Sequence, residues 1–319
     1  MKRTKKYNLL FADSEVLSDQ ARSLLKDFFT LRECNPNQDE IVDEAKNADY
    51  LWVRLKYLFN KETLNQLSHL KALATNTTGI SHIDTKSAKG NNIDIIKLDP
   101  SSSEMKLVTS AAEHAVALMF SLIRNIPRAN MHALAGKWER NKFTGHQLSD
   151  MTVGIVGYGR VGKQISKILS PIAKEISFYD IQKDIKKPSF AKFLDINHLL
   201  NKSDVIFICI SESEENEYFF NSQMTQELLR KPYIINISRG SIIDIKLYFD
   251  LLLLKKIRGL GIDVIEGEER LDFSTLDEIR KKVKDHNFIV TPHIGGNTFE
   301  SWVKTELIIA NALIEHAQQ

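Results

Sequence analysis

Apolar residues along this chain fall into short unbroken blocks, separated by longer stretches in which apolar positions recur every three or four residues. YLWV at 50–53, ALAT at 72–75, VIFICI at 205–210, YIINI at 233–237 and FIV at 288–290 read as strands buried on both faces. Further strands are predicted at 7–11, 93–98, 152–156, 176–180 and 259–264. Helical spacing is predicted at 41–48, 63–70, 83–88, 243–257 and 298–317, and at 111–126, where Pro127 marks a bend or a break. Strand and helix alternate throughout, the pattern of an α/β protein with parallel sheets. The closing helix is expected to return to the first part of the chain, making that part discontinuous.

Composition narrows the class. With 319 residues, 43% apolar and 26% charged, the chain is long enough for two globular domains. Lys plus Arg number 43 against 41 Asp plus Glu, a balance that gives no net field for nucleic acid or an acidic membrane, and neither partner is expected. No signal peptide is read at the basic start and no run of 18 uncharged apolar residues occurs, so a cytoplasmic location is expected. Cys34 and Cys209 form no CxxC pair, and Cys209 reads as a core thiol. No histidine or cysteine spacing resembles a zinc site, and no metal is expected.

The sharpest local signal is GYGRVG at 157–162. It follows the strand TVGIV, opens a helix, and is followed by Asp180 at the end of the strand ISFYD. Gly157 permits the tight turn, Gly159 leaves room for a pyrophosphate, and Gly162 lets helix and strand approach. Tyr158, Arg160 and Val161 complete the phosphate loop at a helix N-terminus. Asp180 would accept from ribose hydroxyls and repel a 2′-phosphate, which favours NAD over NADP; Arg160 weakens that preference. The bland alternative is a tight turn in a sheet that binds nothing.

Three downstream segments end strands in the same manner: NISRG at 236–240, GIDVIEGEE at 261–269 and TPHIGG at 291–296. In a parallel sheet, ligands bind beyond the carboxyl ends of the strands, where all three would converge. Reduction of a 2-oxo acid needs an anion fork and a proton donor. Arg239 suits the first, through two parallel N–H groups, and His293 the second, because an imidazole titrates near working pH. Glu268, paired to His293, would fix the ring. The alternatives stand beside this reading: Arg239 as a capped structural ion, His293 as a capped loop residue, and Glu268 as a solvated charge among Glu266 and Glu269. Spacing by itself does not single out Glu268.

These segments, with TTGISHID at 77–84 and SAAEHAVAL at 110–118, closely resemble the D-isomer-specific 2-hydroxyacid dehydrogenase family across nearly the whole chain. The resemblance implies two Rossmann-like domains: a smaller flavodoxin-like substrate domain, residues 1–110 and 296–319, and a doubly wound parallel NAD-binding domain, residues 111–295, beginning with the interdomain helix. It implies that Arg239 binds the substrate carboxylate, that His293 and Glu268 form the acid and base pair, and that Asp263 lies near the nicotinamide carboxamide. Ser211 and Ile237 join the cofactor contacts, as does His293, while Arg54, Thr78 and Gly79 join the substrate contacts. The implied activity is NAD-dependent interconversion of a small D-2-hydroxy carboxylate and its 2-oxo acid; the alternative is an NAD(H)-binding regulatory protein that uses the fold as a redox-sensitive partner surface. A homodimer is expected from the resemblance and from the apolar surface of the helix at 111–126.

The chain departs from the family pattern at four places. KLDPSSSEMKLVTS at 97–110 is longer than the usual loop, SES at 211–213 replaces P-L-T, Cys209 stands where histidine is frequent, and Glu269 replaces a proline. None removes a group from the triad; the first leaves substrate identity open.

Overall fold

The computed structural model describes residues 6–268 and 273–319, and the chain divides into two compact units, one reaching to Val108 and resuming over Thr298–Gln319, the other Thr109–Asn297. Glu269 and the first five residues lie outside the described residues.

Unit 1 carries five parallel strands: β1 (Tyr7–Ala12), β2 (Phe29–Cys34), β3 (Tyr50–Val53), β4 (Ala72–Thr75) and β5 (Asp94–Lys97). Their order, β2-β1-β3-β4-β5, is the flavodoxin-like one. Successive side chains leave opposite faces of a strand. Leu9, Phe11, Tyr50 and Trp52 therefore pack on one side against Leu25, Ile309 and Leu313 from two helices, Asp19–Leu25 and Phe299–Ala317. Leu10, Ala12, Leu51 and Val53 pack on the other, with Leu64 and Leu67. Each such leucine contributes about 2 kcal/mol by burial. The helix expected at 63–70 is Lys61–Gln66; its earlier start is set by the Asn60 side chain, which caps it by accepting from the Thr63 amide at 2.9 Å. In the lengthened loop, Asp99 accepts from the Ser101 amide and hydroxyl, while Met105 and Val108 enter the core.

Unit 2 holds seven parallel strands: β6 (Thr152–Val156), β7 (Glu175–Tyr179), β8 (Lys192–Phe193), β9 (Val205–Ile208), β10 (Tyr233–Asn236), β11 (Gly259–Ile262) and β12 (Phe288–Val290). The order β12-β11-β10-β9-β6-β7-β8 is doubly wound and reverses direction between β6 and β9. That reversal places the glycine turn after β6 against the end of β9.

The helix expected at 111–126 is Ser110–Ile123. Asn125 takes a left-handed conformation (φ 54°), and a second helix, Ile126–Leu134, begins with Pro127 in its first turn, where the missing N–H costs nothing. The apolar residues of the first helix do not form a free surface. Ala112, Ala115, Met119, Leu122 and Ile123 are buried in the core of unit 2, which corrects the expectation that this helix offers surplus apolar area for a partner. The same packing accounts for the apolar character of Glu104–Ile123, a stretch long and apolar enough to cross a membrane.

Candidate active site

The glycine turn is shaped by close backbone approach. Gly157 has φ +93°, and a Cβ there would lie 2.6 Å from the Cys209 carbonyl; a Cβ on Gly162 would lie 2.2 Å from the Gly157 oxygen. A Cβ on Gly159 would meet nothing within 4 Å, so space is open beside the start of the helix Arg160–Leu169. The amides of Arg160, Val161 and Gly162 have no acceptor within their own helix and are suited to a phosphate.

Asp180 sits at the end of β7, where its carboxylate accepts from the Tyr158 amide at 2.7 Å and the Gln182 amide at 2.9 Å. It thereby ties the glycine turn to the neighbouring strand while keeping lone pairs for ribose hydroxyls. Tyr158 contributes little beyond that amide. Its ring is buried and stacked on Phe178 at 3.8 Å, and its hydroxyl pairs with Ser166. Arg160 lies along its own helix, 3.5 Å from Gln164, and burial holds its guanidinium below the usual range. The turn, the open space at Gly159 and the carboxylate of Asp180 together fit an adenine dinucleotide. Ile237 packs against the core of the unit, and the Ser211 carbonyl accepts from Asn216 at 2.8 Å.

The catalytic candidates follow β10, β11 and β12, which are consecutive in the sheet with β11 in the middle. Their ladder continues one step past the strands: Asp263 N donates to the Asn236 carbonyl, and Thr291 N to that of Ile262, both at 3.0 Å. Buried Asn236 and Ser238 shape the turn that carries Arg239. The Asn236 amide donates to the Arg239 carbonyl at 3.0 Å, and Ser238 Oγ donates to the carbonyls of Ile208 and Ile210. Gly240 then permits contact with the next loop, since a Cβ there would lie 1.9 Å from the Glu266 nitrogen. This single close approach joins the Arg239 turn to the Glu268 loop. Arg239 donates from Nη1 to the Ser238 carbonyl at 2.7 Å, and its Nε lies 3.6 Å from Glu212.

His293 has φ +53°, which histidine tolerates better than most residues, and its amide bonds the carbonyls of Asp263 and Thr291. Its Nδ1 donates to Oε1 of Glu268, whose other oxygen accepts from the Ile265 amide at 3.2 Å. Both partners are partly exposed. The Nδ1 bond leaves the other ring nitrogen, Nε2, outside this pair.

Asp263 is the pivot of the His293 loop. Its carboxylate accepts from Thr291 Oγ1 (2.6 Å), Ile294 N (2.9 Å) and Gly295 N (2.7 Å) and lies 3.3 Å from His114 Nε2. Burial opposes its charge, yet the hydrogen bonds from His114, Thr291 and the two amides outweigh it and hold the carboxyl below its usual range. His114 lies half-buried on the helix Ser110–Ile123. It belongs to this network, bonding Thr291 Oγ1 at 2.9 Å; with the Thr291 hydroxyl donating to Asp263, the proton sits on Nε2.

In unit 1, Thr78 and Gly79 lie in the half-buried turn after β4, where the Gly79 carbonyl accepts from Thr77 Oγ1 at 2.7 Å. Arg54 is differently placed from a free fork. Its Nη2 is 2.6 Å from buried Glu306, its Nη1 is 3.5 Å from Asp13, and its guanidinium lies against the rings of Phe11 and Trp302. These contacts describe a structural ion.

Residues 116–295 match the NAD-binding domain of the D-isomer specific 2-hydroxyacid dehydrogenases, and the chain belongs to that family. A curated relative, D-3-phosphoglycerate dehydrogenase of Archaeoglobus fulgidus, is 27% identical over 284 residues, covering 88% of this chain and 52% of its own length. Hydroxypyruvate reductase of Thermotoga maritima is 28% identical over 266 residues and covered to 83% on both sides. The chain thus spans about half the length of some of the curated relatives it matches. D-lactate dehydrogenase from Aquifex aeolicus, solved with NAD and lactic acid, shares the fold at a TM-score of 0.81 over 96% of this chain and 94% of its own, with 23% identity.

Proposed function

We propose that this protein interconverts a D-2-hydroxy acid and its 2-oxo acid with NAD. The observation that carries the reading is the His293–Glu268 pair, held next to the Arg239 turn by the close approach at Gly240. NAD, when bound, accepts or supplies the hydride. Arg239 holds the substrate carboxylate and so aims the carbon to be reduced. His293 Nε2 gives a proton to the carbonyl oxygen in reduction and takes it from the hydroxyl in oxidation. Glu268 holds the ring through Nδ1, and Asp263 holds the loop that presents it.

Thr78 and Gly79 are proposed as further substrate contacts. Arg54 is proposed in a supporting place, since Glu306 and Asp13 already meet its charge. Hydroxypyruvate reductase and glyoxylate reductases among the relatives support small acids of that kind, while other relatives are D-3-phosphoglycerate dehydrogenases. A homodimer is also proposed, supported by the helix Ile126–Leu134, where Ile126, Met131 and Leu134 are 51%, 67% and 76% exposed, and by Trp138 at 90%. A monomer mass by light scattering at micromolar concentration would remove it.

The activity is tested by following NADH oxidation against glyoxylate, hydroxypyruvate, pyruvate, and branched and aromatic 2-oxo acids. Turnover supports the proposal. NADH binding without turnover on any acid would shift the reading to an NAD(H)-binding regulator.

A further inference from the structure

Arg239 has an internal competitor. Glu212 Oε2 lies 3.6 Å from its Nε, and Glu212 Oε1 accepts from Ser241 Oγ at 3.1 Å, so the carboxylate bridges both sides of Gly240. The turn is flanked by a second acid. Gly240 packs on the backbone of Glu266, and Glu266 accepts from the Tyr218 hydroxyl at 2.9 Å, while the Tyr218 amide donates to the Ser241 carbonyl at 2.8 Å. Tyr218 and Ser241 therefore hold the two glutamates at the rim of the turn. The segment SESEENE at 211–217, which carries Glu212, adds further acids.

We propose that Glu212 is a specificity-determining residue that restricts the substrate to 2-oxo monocarboxylates whose side chains carry no second anion. This rests on the activity proposed above and narrows it. A substrate carboxylate on Arg239 shares the guanidinium with Glu212, which already lies 3.6 Å from its Nε. A small acid held on Arg239 keeps its whole side chain within roughly 10 Å of Glu212, about one Debye length, so salt does not hide the repulsion. A phosphate or second carboxylate on the substrate meets like charge from Glu212 and Glu266, and such juxtaposition is how a site rejects a competitor. Neutral and cationic side chains meet no such barrier.

The test compares hydroxypyruvate with 3-phosphohydroxypyruvate, which differ only in the phosphate, in the wild type and in Glu212→Gln. The amide keeps the size of the side chain and its acceptor for Ser241. The expected result is a kcat/KM ratio favouring hydroxypyruvate by roughly tenfold or more in the wild type, narrowed in Glu212→Gln chiefly through a lower KM for the phosphorylated acid. Glu212→Ala, with NADH binding checked by fluorescence, gives the same reading should the glutamine variant misfold. Equal use of both acids by the wild type, or a ratio unchanged in the variants, overturns the inference while leaving the activity intact. Absence of turnover on every acid, with NADH bound, overturns the activity and the inference with it.

Discussion

His293 donates from Nδ1 to Glu268 across two loops that leave the neighbouring strands β12 and β11, and the two side chains keep 25% and 27% of their surface exposed. A histidine serving only as a loop cap would have no need of a carboxylate and an accessible second nitrogen. Replacing His293 by Asn should lower kcat by roughly 10²–10⁴-fold. The NADH dissociation constant, read by fluorescence titration, should stay within about threefold. An equal loss of both would mark the residue as structural.

Gly240 joins the Arg239 turn to the Glu268 loop through contact between backbones, which cannot yield as a side chain can. Gly240→Ala, with its Cβ 1.9 Å from the Glu266 nitrogen, should lower the melting temperature by several degrees and kcat/KM by roughly tenfold or more. Wild-type kinetics in this variant would show that the two loops need no fixed spacing.

Arg54 faces two acids, Asp13 and Glu306, whose side chains are only 8% and 2% exposed. Removing a guanidinium from buried carboxylates leaves them unpaired, so Arg54→Ala should destabilise the protein by about 3–5 kcal/mol in chemical denaturation. A purely substrate-binding arginine would instead raise KM at constant stability. The two measurements on one variant decide its role.

Asp263 supplies a pH dependence. Its folded pKa is depressed, so its contribution to stability is fully present above the unfolded value, about 3.9, and is lost as pH falls through the lower folded value. Asp263→Asn should cost about 3 kcal/mol at pH 7. The gap between wild type and variant in thermal unfolding should shrink below about pH 4. A gap that holds constant into acid would mean the carboxylate charge contributes nothing.

The Cys209 thiol is partly exposed but lies against the core of its unit, and desolvation pushes it up to about 12. In the native protein at pH 8 it should resist iodoacetamide and become labelled only after unfolding, as read by peptide mass analysis. Rapid native labelling would contradict the raised pKa.

Much of the fold was legible in the sequence because its signals are local. A strand covered on both faces needs an unbroken apolar run, which is why β3, β9 and β10 could be read directly, and a dinucleotide turn needs glycines where backbones touch, as at 157 and 162. Arg239 and His293 were legible for a related reason: parallel strands deliver the residues just past their ends to one edge. The strand β2 was not, because FTLREC lies at a sheet edge where Arg32 and Glu33 break the apolar run. Charges posed the deeper difficulty. Arg54 meets Glu306 across 252 residues, Glu212 reaches Arg239 from another strand end, and the carboxylate of Asp263 gathers His114 and Thr291 into one network. Composition and periodicity determined which elements form and which residues follow the strands. Tertiary structure alone decided which charges meet, because a side chain's partner is set by packing in space, and separation along the chain carries no record of it.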